Sequence, residues 1–544
     1  MKVLFVARHF TYFRNFESVI RRLAAKGHTV HLAAEKEEGF GGRDMVERLA
    51  AEQPNVTVGF TPARADARGF EVATALRLSF DYFRYLDSAY DSTPAIRARA
   101  HERTPRLALA LARMPGRRAL ASVFRALEPA VPTDAAVDEY VREQRPDVLV
   151  LTPLIDLGSP QLDYLKSARA AGVPTVLAVW SWDHLTSKSL IRMHPDRVFV
   201  WNPVQKREAT ELHRVSDADI VVTGAQCFDQ WFDREPGRDR ETFLRDAGLP
   251  AGKQYVLWVC SALFKGSPSE AAFVKRWIAA LRSSNDPALR DCAILVRPHP
   301  QRMPEWREVD LSGFEGVSLW GSNPVDAQAR ADYFDSLYYA RAVVGLNTSA
   351  LIEAAIVDRP VHTIVDPGYW QNQTGTLHFR YLADPEFGFL RVAASLDEHV
   401  RQLATSMREG SAPENQRFVE RFVRPLGRAE AATDRFVDAL EDAALLEPRA
   451  AHALSAPLLR PVVAGMRALS ATSWGAALFQ DPSEAHEQAA RAQRIAHKQE
   501  QVRRSEAARA RKEEDKDARW RRKRRQERVV RLKTLARRIL PRPN

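Results

Sequence analysis

Cysteine is scarce in this chain. Cys227, Cys260 and Cys292, in 544 residues, are too few and too scattered for a disulfide framework or a four-ligand zinc site. A reducing cytoplasm is the compartment that fits. Long apolar runs are missing as well, none approaching the roughly 18 residues of a membrane span. The N-terminal run from Val3 to Ala7 is too short for a signal-peptide core and reads as a buried strand. The expected protein is therefore neither exported by the usual route nor integral to a bilayer. There is no Walker sequence, no GxSxG elbow and no internal repeat. The Asp-x-Asp pairs Asp217/Asp219 and Asp515/Asp517 stand before a buried strand and in the tail, so no metal site is expected.

What is present is an ordinary globular composition, 45% hydrophobic and 27% charged, long enough for two or three domains. The formal charge of +11 is unevenly placed. From Ser483 to Asn544 stand 21 basic and 9 acidic residues, a net +12, while the other 59 basic and 60 acidic residues nearly cancel. A basic tail follows a near-neutral body, and the two call for separate readings.

The body alternates apolar strands with helical stretches. KVLFVA leads through a helix-compatible stretch to Gly27 and then HTVHLAA, the unit from which parallel sheets are wound. Further strands are expected at PDVLVL, VPTVLAVW, DRVFVWN and ADIVVTG, each apolar enough to be buried on both faces. A second series runs through QYVLWVCS, CAILVRP, GVSLW, AVVGLN and VHTIV. The expected fold class is α/β, with two Rossmann-like doubly wound domains facing a cleft, a helical insertion at about 70–128 and a basic helical tail. The boundaries read as 1–230, 231–412, crossover helices at 413–445, an apolar Pro-broken linker at 446–482, and the tail at 483–544. Ligands in such sheets bind beyond the carboxyl ends of the strands, so the loops after each strand are the place to look for chemistry.

In the second series, Arg297-Pro298-His299-Pro300 follows a strand and offers a planar guanidinium fork and an imidazole suited to a diphosphate. AVVGLN runs into Asn347-Thr348-Ser349, any of which can cap the next helix, with Glu353 one turn in and able to accept from ribose hydroxyls. Ser261 ends an earlier strand near Lys265-Gly266. The loop from Tyr369 to Phe379, which contains His378, mixes aromatic and amide groups and suits a sugar or base.

The two domains, the RPHP loop, the GLNTSALIEAAI segment and the returning FVRPLG helix resemble the GT-B superfamily of nucleotide-sugar glycosyltransferases, most of all bacterial surface-polysaccharide enzymes such as the CDP-glycerol glycerophosphotransferases. The resemblance implies a nucleotide donor on the second domain, held by Arg297, His299, Ser349 and Glu353; the strand-end loops themselves add Ser261, Thr348 and His378 as donor-binding candidates. The nucleotide-sugar is then a substrate, and no cofactor is expected. The run Ser181-Trp182-Asp183-His184-Leu185-Thr186-Ser187-Lys188 resembles the Trp-His-Gly-Thr-x-x-Lys loop of the glycerophosphotransferases, with Asp183 where that histidine stands and His184 where the glycine stands. An acceptor hydroxyl must lose a proton as it attacks, so Asp183 is the first candidate base and His184 the second. His9 and Asp156 occupy equivalent strand ends and could orient the acceptor or serve as the base instead. The expected activity is metal-independent glycosyl transfer to a saccharide or lipid-linked acceptor in surface polysaccharide or glycolipid assembly. CDP-polyol phosphotransfer and a silent scaffold are the alternatives.

The tail has its own reading. Six basic residues and Trp520 lie between Arg519 and Arg525, and an apolar stripe follows from Val529 to Leu540. This pattern suits a helix lying on an anionic membrane surface through 519–540, so the protein is expected to be cytoplasmic and peripheral to the membrane. Nucleic acid is disfavoured, because one Trp among the arginines offers little stacking surface.

Overall fold

Strand β1 (Lys2–Ala7) has one partner on each side. Phe5 lies beside Leu32 of β2 (Thr29–Ala34) and beside Val150 of β4 (Val148–Thr152), both in parallel register. With β3 (Val56–Phe60), β5 (Thr175–Ala178), β6 (Arg197–Val200) and β7 (Ile220–Val222), these strands form a seven-stranded parallel sheet in the order β3-β2-β1-β4-β5-β6-β7. The second series folds the same way. Strands β8 (Tyr255–Val259), β9 (Ala293–Arg297), β10 (Val317–Leu319), β11 (Ala342–Val344), β12 (Val361–Ile364) and β13 (Arg391–Ala393) form a six-stranded sheet in the order β10-β9-β8-β11-β12-β13. Both orders are doubly wound, with the chain reversing direction beside the first strand of each sheet, where ligand crevices open. The computed structural model describes residues 1–37, 41–115, 117–410, 412–449 and 456–482. The segment 519–540, expected to meet a membrane surface, lies outside the described residues.

Strands β1, β4, β5, β8 and β9 are buried along nearly their whole length, which accounts for their unbroken apolar sequences. Strands β3 and β13 escape the sequence reading. They are sheet edges, half exposed, and their sequences VTVGF and RVA lack a strong pattern. Between β3 and β4 the insertion is helical, with Ala67–Arg84, Pro94–Arg103, Arg106–Ala112 and Arg117–Leu127. Arg77 on its first helix is fully buried and bonds Glu128 and Asp163, and Lys166 also pairs with Glu128. These contacts tie the insertion to helix Leu162–Ala170 behind the first sheet.

Helix Ala432–Ala444 returns to the first sheet. Phe436, Val437 and Leu440 join the core of Val3 and Phe5, with the Phe436 ring 5.0 Å from that of Phe199. Asp229 fixes this return by accepting from the Thr433 N–H at 2.6 Å and the Ala432 N–H at 3.1 Å while pairing with Arg424. Gly224 lies directly under the helix with a φ of +85°, and a Cβ there would stand 2.7 Å from that of Ala432.

Within the stretch expected as a linker, 446–482, helices Ala456–Ser470 and Ser473–Phe479 form, and Val463, Leu459 and Met466 pack on the insertion against Val72, Leu76 and Leu127. Pro457 sits in the first turn, where a missing N–H costs nothing, and Pro461 interrupts only the next turn. Residues 1–479 form one compact unit. Among the described residues no helix is long and apolar enough to cross a membrane.

Candidate active site

The carboxyl ends of the strands in both sheets meet at a seam. Trp182, just past β5, donates its indole N–H to the Ser349 hydroxyl beyond β11 at 3.1 Å. The Trp182 ring stands edge-on to His378 at 4.7 Å, and the Thr186 hydroxyl lies 3.3 Å from His378 Nδ1. The structure thus brings Asp183, Ser349 and His378 into one neighbourhood. Burial pushes His378 down to about 4, so its imidazole is neutral.

Asp183 is held on both oxygens. Ser181 donates to Oδ1 at 2.5 Å and Ser187 to Oδ2 at 2.6 Å, with Lys188 Nζ 3.9 Å away. Burial alone would raise this carboxyl, but Lys188, His378 and the two hydroxyls outweigh it and hold the group well below the usual carboxylate range. So fixed a carboxylate is a strong point charge and a weak proton acceptor. His184 does not fit the role of base. It is fully buried, its Nδ1 faces the Trp180 N–H at 3.3 Å and its Nε2 the Pro153 carbonyl at 2.9 Å. Both nitrogens are committed to backbone, and burial lowers the ring to about 3.

Around the ends of β1 and β2 lies a group the sequence reading only grazed. His9 stands at the end of β1 with its ring 4.7 Å from Tyr12, and Arg8 pairs with Asp156. Tyr12 packs edge-on to Trp180 at 4.9 Å. Burial raises the Tyr12 hydroxyl, which also feels Arg8, Asp183 and Glu35, so these charges converge on it. Glu35, the first residue past β2, has a buried Oε1 with no hydrogen-bond partner. Burial, against the opposing pull of Arg64 and Arg8, raises its carboxyl to about 7. In sequence Glu35 opens the run EKEEG and looks like solvated surface. Its position immediately after a strand was the available signal.

On the other side of the seam, Arg297 ends β9 with its guanidinium 5.6 Å from the Trp320 ring centre and 5.1 Å from that of Tyr333. It is buried, Nη2 donates to the Ser322 carbonyl at 3.1 Å, and Nη1 has no partner. Tyr333 in turn donates to Glu353, which burial lifts to about 7. Arg297 and Glu353 are therefore joined through an aromatic residue that the motifs did not reveal. Asn347 adds an unpartnered Oδ1 at the end of the neighbouring strand loop.

Other candidates are placed differently. Ser261 is fully buried, and its hydroxyl accepts from the Asn347 N–H at 3.2 Å, so it shapes the loop from within. His299 accepts from the Gln301 N–H at 3.3 Å and caps the turn Pro300–Arg307 at the rim. Thr348 is half-buried in the turn before helix Ala350–Ile356. Ser349 occupies the cap position of that helix but makes no capping bond, its hydroxyl being engaged by Trp182. With seven residues the helix is too short to serve as an anion site by its dipole alone. Among the described residues no three His, Cys, Asp or Glu side chains gather as a metal site.

The fold defines a class of α/β protein with two doubly wound parallel sheets meeting at the carboxyl ends of their strands. No family model and no curated protein matches the sequence. Among solved structures, the chain is similar to a UDP-GlcNAc 2-epimerase from Methanocaldococcus jannaschii, with 11% identity over 81% of this chain and 100% of that one and a TM-score of 0.46. It is similar also to a putative UDP-N-acetylglucosamine 2-epimerase from Listeria monocytogenes, with 12% identity over 81% and 96% and a TM-score of 0.46. A glycosyltransferase from Rickettsia africae gives 10% identity over 81% and 98%, again with a TM-score of 0.46.

Proposed function

We propose that the chain is a GT-B-type glycosyltransferase that takes a nucleotide-sugar donor against its second sheet and a saccharide or lipid-linked acceptor against its first, in surface polysaccharide or glycolipid assembly. The observation that carries this reading is Arg297, a buried guanidinium held between two aromatic rings with one nitrogen free to bond. A buried, unpaired cation at a strand end has few uses other than meeting an anion. The donor diphosphate is that anion, with His299 at the rim and Ser349 and His378 on the far side. Glu353 and Tyr333 face the nucleoside, and no metal is needed to take up the leaving charge.

In the reaction the acceptor oxygen attacks the anomeric carbon, the bond from that carbon to the diphosphate breaks, and the departing charge is met by Arg297. The proton goes to Glu35, whose raised carboxyl suits a base working near neutral pH. Asp183 supplies the fixed negative charge that orients Lys188 and His378, and His9 borders the acceptor. The protein acts in the cytoplasm, with 519–540 resting on the anionic face of a membrane. The test is calorimetry with nucleoside diphosphates, followed by product analysis with a panel of nucleotide-sugars. Saturable diphosphate binding that falls at least tenfold in Arg297→Ala is expected. Equal binding by the variant, or none by the wild type, removes this reading, and turnover of CDP-polyols alone would reassign the enzyme to polyol-phosphate transfer.

A further inference from the structure

A cavity of about 750 Å³ opens in the first half of the protein, lined by none of the candidate-site residues. Its walls come from the end of helix Ala67–Arg84, the turn at Ser88–Tyr90, helix Arg117–Leu127, the strand-free segment 190–194 and the end of helix Pro203–His213. The volume is that of a site for an organic molecule.

Two arginines stand at its depth and two at its mouth. Arg84 and Arg192 are both more than nine-tenths buried. Arg192 pairs with Asp81 through Nη2, but its Nε and Nη1 have no partner. Arg84 donates from Nη1 to the Ser189 carbonyl, and its Nε has no partner. Its Nη2 lies 3.4 Å from His213 Nε2, which cannot accept. His213 Nδ1 receives the Ile191 N–H at 3.1 Å, so the ring proton sits on Nε2 and goes to the Leu185 carbonyl at 2.8 Å. Burial keeps this imidazole neutral. At the mouth, Arg125 lies over the Phe80 ring beside Arg214, with no carboxylate of the described residues paired to either. Burial and the neighbouring Arg214 both push the Arg125 guanidinium down, as expected of two cations sharing a space without an anion. Three acidic residues share the wall. Asp91 pairs with Arg97 and Asp87 accepts from the Ala89 N–H, and with Asp81 already offsetting Arg192 this leaves Glu211 facing Arg84, Arg125 and Arg214. Phe80, Phe83, Leu190, Ile191 and Leu212 supply an apolar wall beside these charges.

We propose that this cavity binds a phosphate monoester carried on an apolar body, with the phosphate among the four arginines and the apolar part along the Phe80 and Leu190 wall. Guanidinium forks match phosphate oxygens, and the depth of Arg84 and Arg192 withholds water from them. Two sources have this chemistry, a lipid phosphate and a soluble organic phosphate. The surroundings suit either. Residues 94–127 carry eight Arg and one Glu, and residues 456–479, packed on the same helices, carry two Arg and no acid. The inference stands apart from the reading of the seam, because none of the candidate seam residues lines the cavity.

The experiment uses the full chain and monomeric dodecyl phosphate, below its micelle concentration, measured by calorimetry beside inorganic phosphate. Saturable dodecyl phosphate binding is expected, at least tenfold tighter than inorganic phosphate. It should weaken at least tenfold in the exposed double variant Arg125→Ala/Arg214→Ala and in Ala121→Trp, which fills the cavity, while nucleoside diphosphate binding stays as in the wild type. Competition by phosphatidic acid vesicles would identify the lipid source, and its absence the soluble one. No binding, equal binding of the two phosphates, or full affinity in both variants overturns the proposal. Absence of nucleoside diphosphate binding by the wild type, with dodecyl phosphate binding as expected, would strike the reading of the seam and leave the cavity untouched.

Discussion

Glu35 and Asp183 show how two carboxylates at neighbouring strand ends come to opposite properties. Asp183 receives two hydroxyls and faces Lys188, whereas Glu35 keeps a buried oxygen without a donor. The sequence singled out Asp183 because a recognisable loop surrounds it. Glu35 passed unnoticed because its environment is made by residues distant in the chain, Arg8 and Arg64 among them. Replacing Glu35 by Gln is expected to lower turnover about 10²–10⁴-fold, the usual cost of a lost general base, with donor affinity unchanged. In the wild type kcat should rise with pH through about 7, and this limb should vanish in the variant. Stability runs the other way. A carboxyl whose folded value lies above its ordinary 4.5 favours the folded state below 4.5 and loses that contribution as pH climbs toward 7. A pH–rate profile of Glu35→Gln that keeps the wild-type limb would take Glu35 out of the reaction.

A second residue-scale prediction concerns a position that need not touch ligand. Gly321 has a φ of +108°, and a Cβ there would lie 2.3 Å from Arg297 Nη1. Alanine would therefore push the guanidinium off Trp320 and Tyr333. Gly321→Ala should weaken nucleoside diphosphate binding by about 1.5–3 kcal/mol, the worth of a hydrogen bond to a charged group, and should also lower the melting temperature, because alanine at this positive φ carries about 1–3 kcal/mol of backbone strain. Calorimetry paired with thermal unfolding tests this, and unaltered affinity would mean that Arg297 does not hold the diphosphate.

At the scale of elements, the strands that bury both faces were legible, and of the four edge strands β7 and β10 were legible while β3 and β13 were not. Eleven of the thirteen strands fall within or beside the apolar runs expected for them, yet β3 and β13, with half-exposed residues, carry no such run. Helix Ala456–Ser470 was hidden by its prolines and by the fact that its partners, Val72, Leu76 and Leu127, lie more than three hundred residues earlier. Buried charge is equally invisible from sequence, and Arg77 is the clearest case. Its guanidinium satisfies Glu128 and Asp163 inside the protein. Burial would raise Glu128, but Arg77 and Lys166 prevail and hold it at about 2. The pairing therefore stabilises the fold above about 4.5 and is lost as pH falls toward 2. Arg77→Ala leaves two buried carboxylates short of their partner and is expected to cost about 3–5 kcal/mol. Chemical denaturation at pH 7 measures this, and a cost under about 1 kcal/mol would show that the network contributes little to holding the insertion in place.

Over the whole molecule, charge is sorted more sharply than the net value suggests. Residues 1–482 sum to nearly zero, but 94–127 and 456–479 together hold ten Arg against one Glu, so the rest of that body is acidic. The tail adds six basic residues between Arg519 and Arg525 alone. Near an anionic bilayer each such residue contributes on the order of 1 kcal/mol, so the tail and the helical face should act in the same sense. Apolar side chains are exposed on that face as well, with Leu458 at 79% and Trp474 at 68%. Full-length protein is expected to bind anionic vesicles in a salt-sensitive way, and truncation after Pro482 to weaken this at least tenfold while leaving measurable binding and an unchanged affinity for nucleoside diphosphates. Cosedimentation across a salt series separates the contributions. Equal binding by the two forms would dismiss the tail as an anchor, and tighter binding to RNA than to vesicles would assign its arginines to nucleic acid.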